Sequence, residues 1–377
     1  MTTTTSLHTG QRNVGIDCLR GLAILLVIVH HLALPFRLPL KPSLLGDWLP
    51  GRLLDTLSFN GYEAVFVFFV ISGFLIATRI LERDGDLGRV DLRHFYRARA
   101  RRILPLLLAT LAVLGLLAGF GIEGFAPQDG KQTIGGLLGS ALSFTFNWYE
   151  GRTGWAPAGW DVLWSLSIEE AFYLGFPLLC LWLPRRVLVA LLLAWALALS
   201  PLRALVPAAD EVWREKAYLP GMAAIAWGVL AALLARRWQP RRREARLLAL
   251  LGGVCLVLVF GWSDLVHRHL FKSGLYVLCI GAACLLLAFH AWPPAPRQWR
   301  GLHWLARMGQ LSYELYLSHM FVVLAAVALY RAQLGAMQTW TFAVYLPVLL
   351  CCYGLALLLE RAGRRAGSGR KAEPAGG

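Results

Sequence analysis

Apolar runs long enough to cross a bilayer alternate with short polar connections along the whole of this 377-residue chain. A helix needs about 20 predominantly apolar residues to span the hydrocarbon. Ten runs meet that length, at 17–34, 61–81, 103–121, 161–183, 187–205, 217–235, 246–263, 270–290, 310–330 and 341–359. The pattern predicts an all-α fold: a polytopic membrane protein of about ten transmembrane helices. A further run at 134–146 is shorter, glycine-rich and polar at its edges, and fits a crossing, a re-entrant element or a surface helix.

Charge decides between those options. If the short run does not cross, the Arg-dense connections "RDGDLGRVDLRHFYRARARR", "PRR", "RRWQPRRREAR" and "PRQWRGLHWLAR" share one side with the tail "RAGRRAGSGRK". The opposite connections hold far fewer basic residues and include the acidic "AADEVWREK". The positive-inside rule then places both termini in the cytoplasm. If the short run crossed, every later loop would change sides and break the rule repeatedly. The expected organisation is a cytoplasmic segment at 1–13, a membrane-embedded domain at 14–360 and a disordered cytoplasmic tail at 361–377. The polar N-terminus carries no cleavable signal pattern, so the first helix is expected to stay as an anchor.

Composition supports this reading, since 57% of residues are hydrophobic and only 16% are charged. The net charge of +15 comes mostly from arginines clustered between spans. Those clusters act as topology signals, so no nucleic-acid partner is expected. The seven cysteines lie in or beside spans, which gives no disulfide framework. No CxxC or HExxH spacing is present, so no metal site is expected.

Function is sought among polar groups inside the spans, where charge is costly. In "DCLRGLAILLVIVHHLALP", Arg20 and His31 are eleven positions apart. On a helix they lie about 20° apart around the axis and roughly 16 Å apart along it, so they share a face. His30 is about 80° away from Arg20. Each residue also has a plain structural reading: Arg20 as a guanidinium snorkelling at the boundary, the histidines as a polar helix end. In the second span, Ser72 and Gly73 suit close helix packing. Arg99 and Arg102 in "FYRARARRILP" are helix neighbours whose paired guanidinium forks suit a phosphate or pyrophosphate, or serve simply as an anchor. Ser165, Glu169 and Tyr173 line one face of the fourth span. The predicted topology puts Glu169 at a depth like that of His31, where a carboxylate would orient a histidine or merely bind a neighbouring helix. His319 sits in mid-span, with Tyr316 and Ser312 on nearly the same face.

The stretches "GIDCLRGLAILLVIVHH", "FFVISGFLI", "FYRARARRILP", "LWSLSIEEAFY" and "LSYELYLSHM", in that order, resemble the acyltransferase 3 family of bacterial integral membrane acyltransferases. The resemblance runs from about Val14 to Leu359. It implies a ten-helix enzyme moving an acyl group, most often acetyl, onto hydroxyls of cell-surface glycans. It also implies that Arg20 and His31 are essential and that Arg99 and Arg102 match the family's paired arginines. The donor expected on this basis is acetyl-CoA or another acyl-CoA, a co-substrate and not a bound cofactor. The acceptor would be a glycan or a lipid-linked sugar. In the scheme that follows, Arg99 and Arg102 hold the donor's phosphates with Arg20 nearby, and the pantetheine arm follows the first helix to His31. His319 and Glu169 assist the imidazole.

Departures from the family pattern are Val162 where many members have His, Phe66 where many have an acidic residue, and Ala171 where Gln is common. An Arg-x-Asp is missing from "YLPGMAAIAWG". These changes put the acceptor in doubt, not the core reaction. The rival class is a transporter or flippase of a glycan or lipid-linked precursor, because polar residues on spanning helices also mark translocation paths. A membrane glycosyltransferase fits less well, since the Arg-rich loops lack acidic metal ligands.

Overall fold

A computed structural model describes residues 12–34, 38–128, 130–199, 210–262, 274–293 and 296–369. Among them, nine helices are long and apolar enough to cross a membrane. The helices that matter for the site are α1 (Val14–Ala33), α2 (Gly61–Asp84), α3 (Leu92–Gly119), α4 (Ile134–Leu142), α5 (Phe146–Thr153), α6 (Leu163–Trp182), α7 (Arg185–Leu197), α8 (Tyr218–Arg237), α9 (Arg242–Gly261), α10 (Gly274–Ala291), α11 (His303–Gln310), α12 (Ser312–Leu334) and α13 (Phe342–Gly369).

Nine of the ten expected spans coincide with long helices. The tenth, at 187–205, begins as α7, and its part from residue 200 onward lies outside the described residues. The short run at 134–146 forms α4, whose 9 residues cover about 14 Å, too little to cross a bilayer core of about 30 Å.

Local chemistry sets the helix starts. Asn13 caps α1: its side-chain oxygen accepts from the Gly15 and Ile16 N–H groups at 3.1 and 3.3 Å, and its amide donates to the Phe289 carbonyl at 2.6 Å. The cap therefore ties α1 to α10. Helix α3 starts at Leu92, well before the expected 103, because Asp91 caps it by accepting from the His94 N–H at 3.0 Å. The arginine strip is thus the first part of the third spanning helix, not a loop leading to it.

Small residues bring the central helices together. A Cβ on Gly73 would lie 2.0 Å from the Ile225 carbonyl oxygen, and one on Gly228 would lie 1.9 Å from that of Val70. Neither position accepts a side chain while α2 and α8 stay in contact, which bears out the packing role expected of Gly73. Helices α1 and α2 are buried along most of their length, whereas Leu247, Leu250, Leu346 and Leu350 on α9 and α13 are exposed. Outward apolar faces of this kind suit contact with lipid.

One expectation is corrected. Helix α13 continues to Gly369, so residues 361–369 are helical and not a disordered tail. The extension is held by Glu360, which accepts from Arg364 one turn on at 2.7 Å and from Arg307 of α11 at 2.5 Å. Residues 1–11 and 370–377 lie outside the described residues.

Candidate active site

Helices α1 and α12 lie together and run in the same direction. At one end the Arg20 guanidinium donates to the Ser312 hydroxyl at 2.6 Å. At the other, His31 and His319 meet, with Nδ1 of His31 3.2 Å from Nε2 of His319. The eleven residues from Arg20 to His31 rise about 16 Å, so the two contacts mark the ends of one long seam.

The hydrogen positions on both imidazoles follow from their neighbours. Nδ1 of His319 lies 3.0 Å from the Leu315 carbonyl oxygen and 2.9 Å from that of Tyr316. Both are acceptors, so this nitrogen carries the proton and neutral His319 presents a lone pair at Nε2. Nδ1 of His31 faces that lone pair and also the Val27 carbonyl oxygen at 2.8 Å, so it too carries its proton. Nε2 of His31 is then left with a free lone pair. His319 is fully buried, and its contact fixes the orientation of the His31 ring.

The Arg20 end opens into a cavity of about 100 Å³. Arg20, Arg79, Arg99 and Arg102 all line it. Arg99 lies over the Tyr173 ring at 4.7 Å. Among the described residues none of these four arginines has a carboxylate partner within ion-pair distance. The four guanidinium groups share the cavity lining with the carboxyl groups of Glu169 and Glu170, which leaves an excess of basic groups, an arrangement that suits an anion.

Glu169 belongs to this cavity and does not join the histidines. It accepts from Ser72 at 3.0 Å and from Tyr173 at 3.1 Å. The residue of its helix face that does lie toward the histidines is Ser165, one turn earlier. Its hydroxyl is 2.6 Å from that of Tyr316, whose ring centroid is 6.0 Å from that of His319. Ser165 and Tyr316 also line the cavity, so it reaches to the residue beside His319. Ser72, expected to serve packing, instead holds Glu169.

The structure thus brings Arg20, Arg99, Arg102 and Glu169 into one cavity, and His31 with His319 into one pair. Arg79, at the end of α2, is a cavity arginine that sequence reasoning passed over; its signal was a single basic residue closing the apolar run "FLIATRI". Glu170, buried beside Glu169 with one oxygen unpartnered, was also passed over.

The family model described as an acyltransferase domain, Acyl_transf_3, matches residues 13–359. YrhL of Bacillus subtilis strain 168, named as a proposed peptidoglycan O-acetyltransferase, is 25% identical over 374 residues, covering 90% of this chain and 52% of its own. The O-acetyltransferase OatA of Staphylococcus aureus strain NCTC 8325 is 24% identical over 328 residues, covering 81% of this chain and 49% of its own. SACOL0978 of Staphylococcus aureus strain COL, named as a proposed O-acetyltransferase, is 30% identical over 173 residues, covering 44% of this chain and 24% of its own. The chain spans about half the length of the first and second of these relatives and about a quarter of the third. No solved structure matches. A family match over nearly the whole described chain, on a bundle of membrane-length helices, makes this chain a multi-pass membrane member of the acyltransferase 3 family.

Proposed function

We propose that the chain transfers an acetyl group from acetyl-CoA to a hydroxyl of a cell-envelope glycan, with the donor entering from the cytoplasm. The name of one relative, YrhL, points to peptidoglycan as the acceptor. The observation that carries this reading is the seam itself. A cavity lined by four arginines against two glutamates lies at one end, and an imidazole with a free Nε2 lone pair lies roughly 16 Å along the same helix.

The donor suits that layout. Its nucleotide end carries several phosphate charges for Arg20, Arg79, Arg99 and Arg102. Its pantetheine arm is a slender chain that follows α1 and α12 past Ser165 and Tyr316. The thioester then reaches His31. Nε2 of His31 takes the proton of the acceptor hydroxyl as that oxygen attacks the thioester carbonyl carbon. The tetrahedral intermediate collapses, the C–S bond breaks, and the leaving thiolate recovers the proton from the imidazolium. The products are the acetyl ester and free coenzyme A. His319 keeps His31 in the required tautomer throughout, and its lone pair accepts from the imidazolium's Nδ1–H.

Glu169 acts at the arginine end, balancing charge around the cavity. The Arg-dense connections favour this end as the cytoplasmic one, which puts the histidines toward the outer face of the inner membrane. Deleting the gene from its source strain should remove an acetyl-ester increment from the envelope glycans, read by mass spectrometry of released muropeptides and polysaccharides. Unchanged acetylation in all fractions would contradict the reading.

A further inference from the structure

Beyond the histidines lies a second charged group that the mechanism above does not use. Lys216 is 3% exposed at its side chain. Its ammonium group donates to Glu150 at 2.7 Å and to Asp161, and it sits over the Trp155 ring at 4.4 Å from the centroid. Asn147, one turn before Glu150 on α5, donates to the Lys216 carbonyl oxygen at 2.6 Å. Burying the Lys216–Glu150 pair costs more than an apolar core of the same volume would, so the arrangement calls for a reason other than stability.

Its position supplies one. The short helix Ala158–Asp161 packs on α12, the helix that carries His319. Trp160 anchors it by donating to the Phe125 carbonyl oxygen at 2.8 Å, and Phe125 stacks on Phe321 with ring centroids 5.8 Å apart. Phe321 follows His319 by two residues on α12. The group therefore sits at the histidine end of the seam, opposite the arginine cavity.

Its chemistry selects the ligand. The Lys216 ammonium is fully engaged by two carboxylates and an aromatic face. What remains are acceptors: the partly exposed Asp161 carboxylate, with Glu150 Oε2 and Asn147 Oδ1 buried behind it and unpartnered among the described residues. These unsatisfied groups are hydrogen-bond acceptors, which take hydroxyls and offer a phosphate no donor. Beside it Trp155 is 45% exposed although Lys216 lies over its ring. Carboxylate acceptors next to an exposed indole match a hydroxyl-rich ring with an apolar face.

We infer that Asp161 and Trp155, held by the Lys216–Glu150 pair, bind the acceptor saccharide and present its hydroxyl to His31. The inference rests on the acetyl-transfer reading above. The two ends of the seam then sort the substrates by charge: arginines take the anionic donor, and the carboxylate end takes an uncharged polyol.

The test uses the full chain in lipid nanodiscs, with acetyl-CoA as donor and peptidoglycan glycan strands stripped of their O-acetyl groups as acceptor. Trp155→Ala and Asp161→Asn should each raise the KM for the strands by about tenfold or more, the loss expected for one well-placed interaction. The KM for acetyl-CoA should stay within about twofold of the parent value. Trp155→Phe keeps an aromatic face and should restore most of the acceptor affinity, a rescue that a merely structural role for the exposed indole would not show. An unchanged acceptor KM in both variants, or an equal rise in both KM values, overturns the inference. Absence of any transfer to the strands by the parent protein overturns the acetyl-transfer reading, and this inference with it.

Discussion

Replacing His31 with alanine should abolish acetyl transfer, lowering kcat roughly a thousandfold, within the range for loss of a positioned general base. The expectation rests on one nitrogen. Nδ1 of His31 is committed to the Val27 carbonyl oxygen and to His319, which leaves Nε2 as the lone pair that faces substrate. The side chain is half-buried, and protein yield in the membrane should stay near the parent level. Transfer assayed with saturating acetyl-CoA and glycan checks the result, and parent-level activity would remove His31 from the mechanism. A dead His30 variant beside an active His31 variant would move the base to the neighbouring ring.

The second large effect belongs to the donor. Replacing Arg99 and Arg102 together with alanine should raise the KM for acetyl-CoA by roughly a hundredfold, about tenfold for each charge-assisted hydrogen-bonding group removed. The thioester, once bound, still meets an intact His31, so kcat should fall much less than kcat/KM. Arg20 and Arg79 remain in the cavity and keep some affinity, which is why the loss is not complete. Isothermal titration with coenzyme A separates this from a catalytic defect. Unchanged affinity would mean that the arginine cavity serves another anion.

Much of this site was legible along single helices. The eleven-residue step from Arg20 to His31, the three-residue step from Arg99 to Arg102, and the Ser312–Tyr316–His319 face are all consequences of the 3.6-residue period. What the period does not contain is the distance between helices. Glu169 shares a face with Ser165, and only the packing of α6 against α12 decides which of the two lies beside the histidines. Ser165 does, through Tyr316, while Glu169 falls one turn away among the arginines. The Asp161–Lys216–Glu150 group was hidden for the same reason. Its members come from three separate short segments, and the charge pattern marked Lys216 only as part of an acidic connection. The extended start of α3 was missed because an arginine-rich strip does not look like a membrane helix, although an Asp cap starts one helix there that runs on to Gly119.

Release of free coenzyme A by the purified chain distinguishes acyl transfer from transport in a single assay. The protein in lipid nanodiscs would be supplied with acetyl-CoA labelled in its acetyl group and with glycan strands stripped of O-acetyl esters. One free thiol should appear for each labelled ester formed on the glycan, with both signals absent in His31→Ala. Movement of glycan or donor across the bilayer in proteoliposomes, with no thiol released and no ester formed, would contradict acetyl transfer and favour a transporter built on the same family fold.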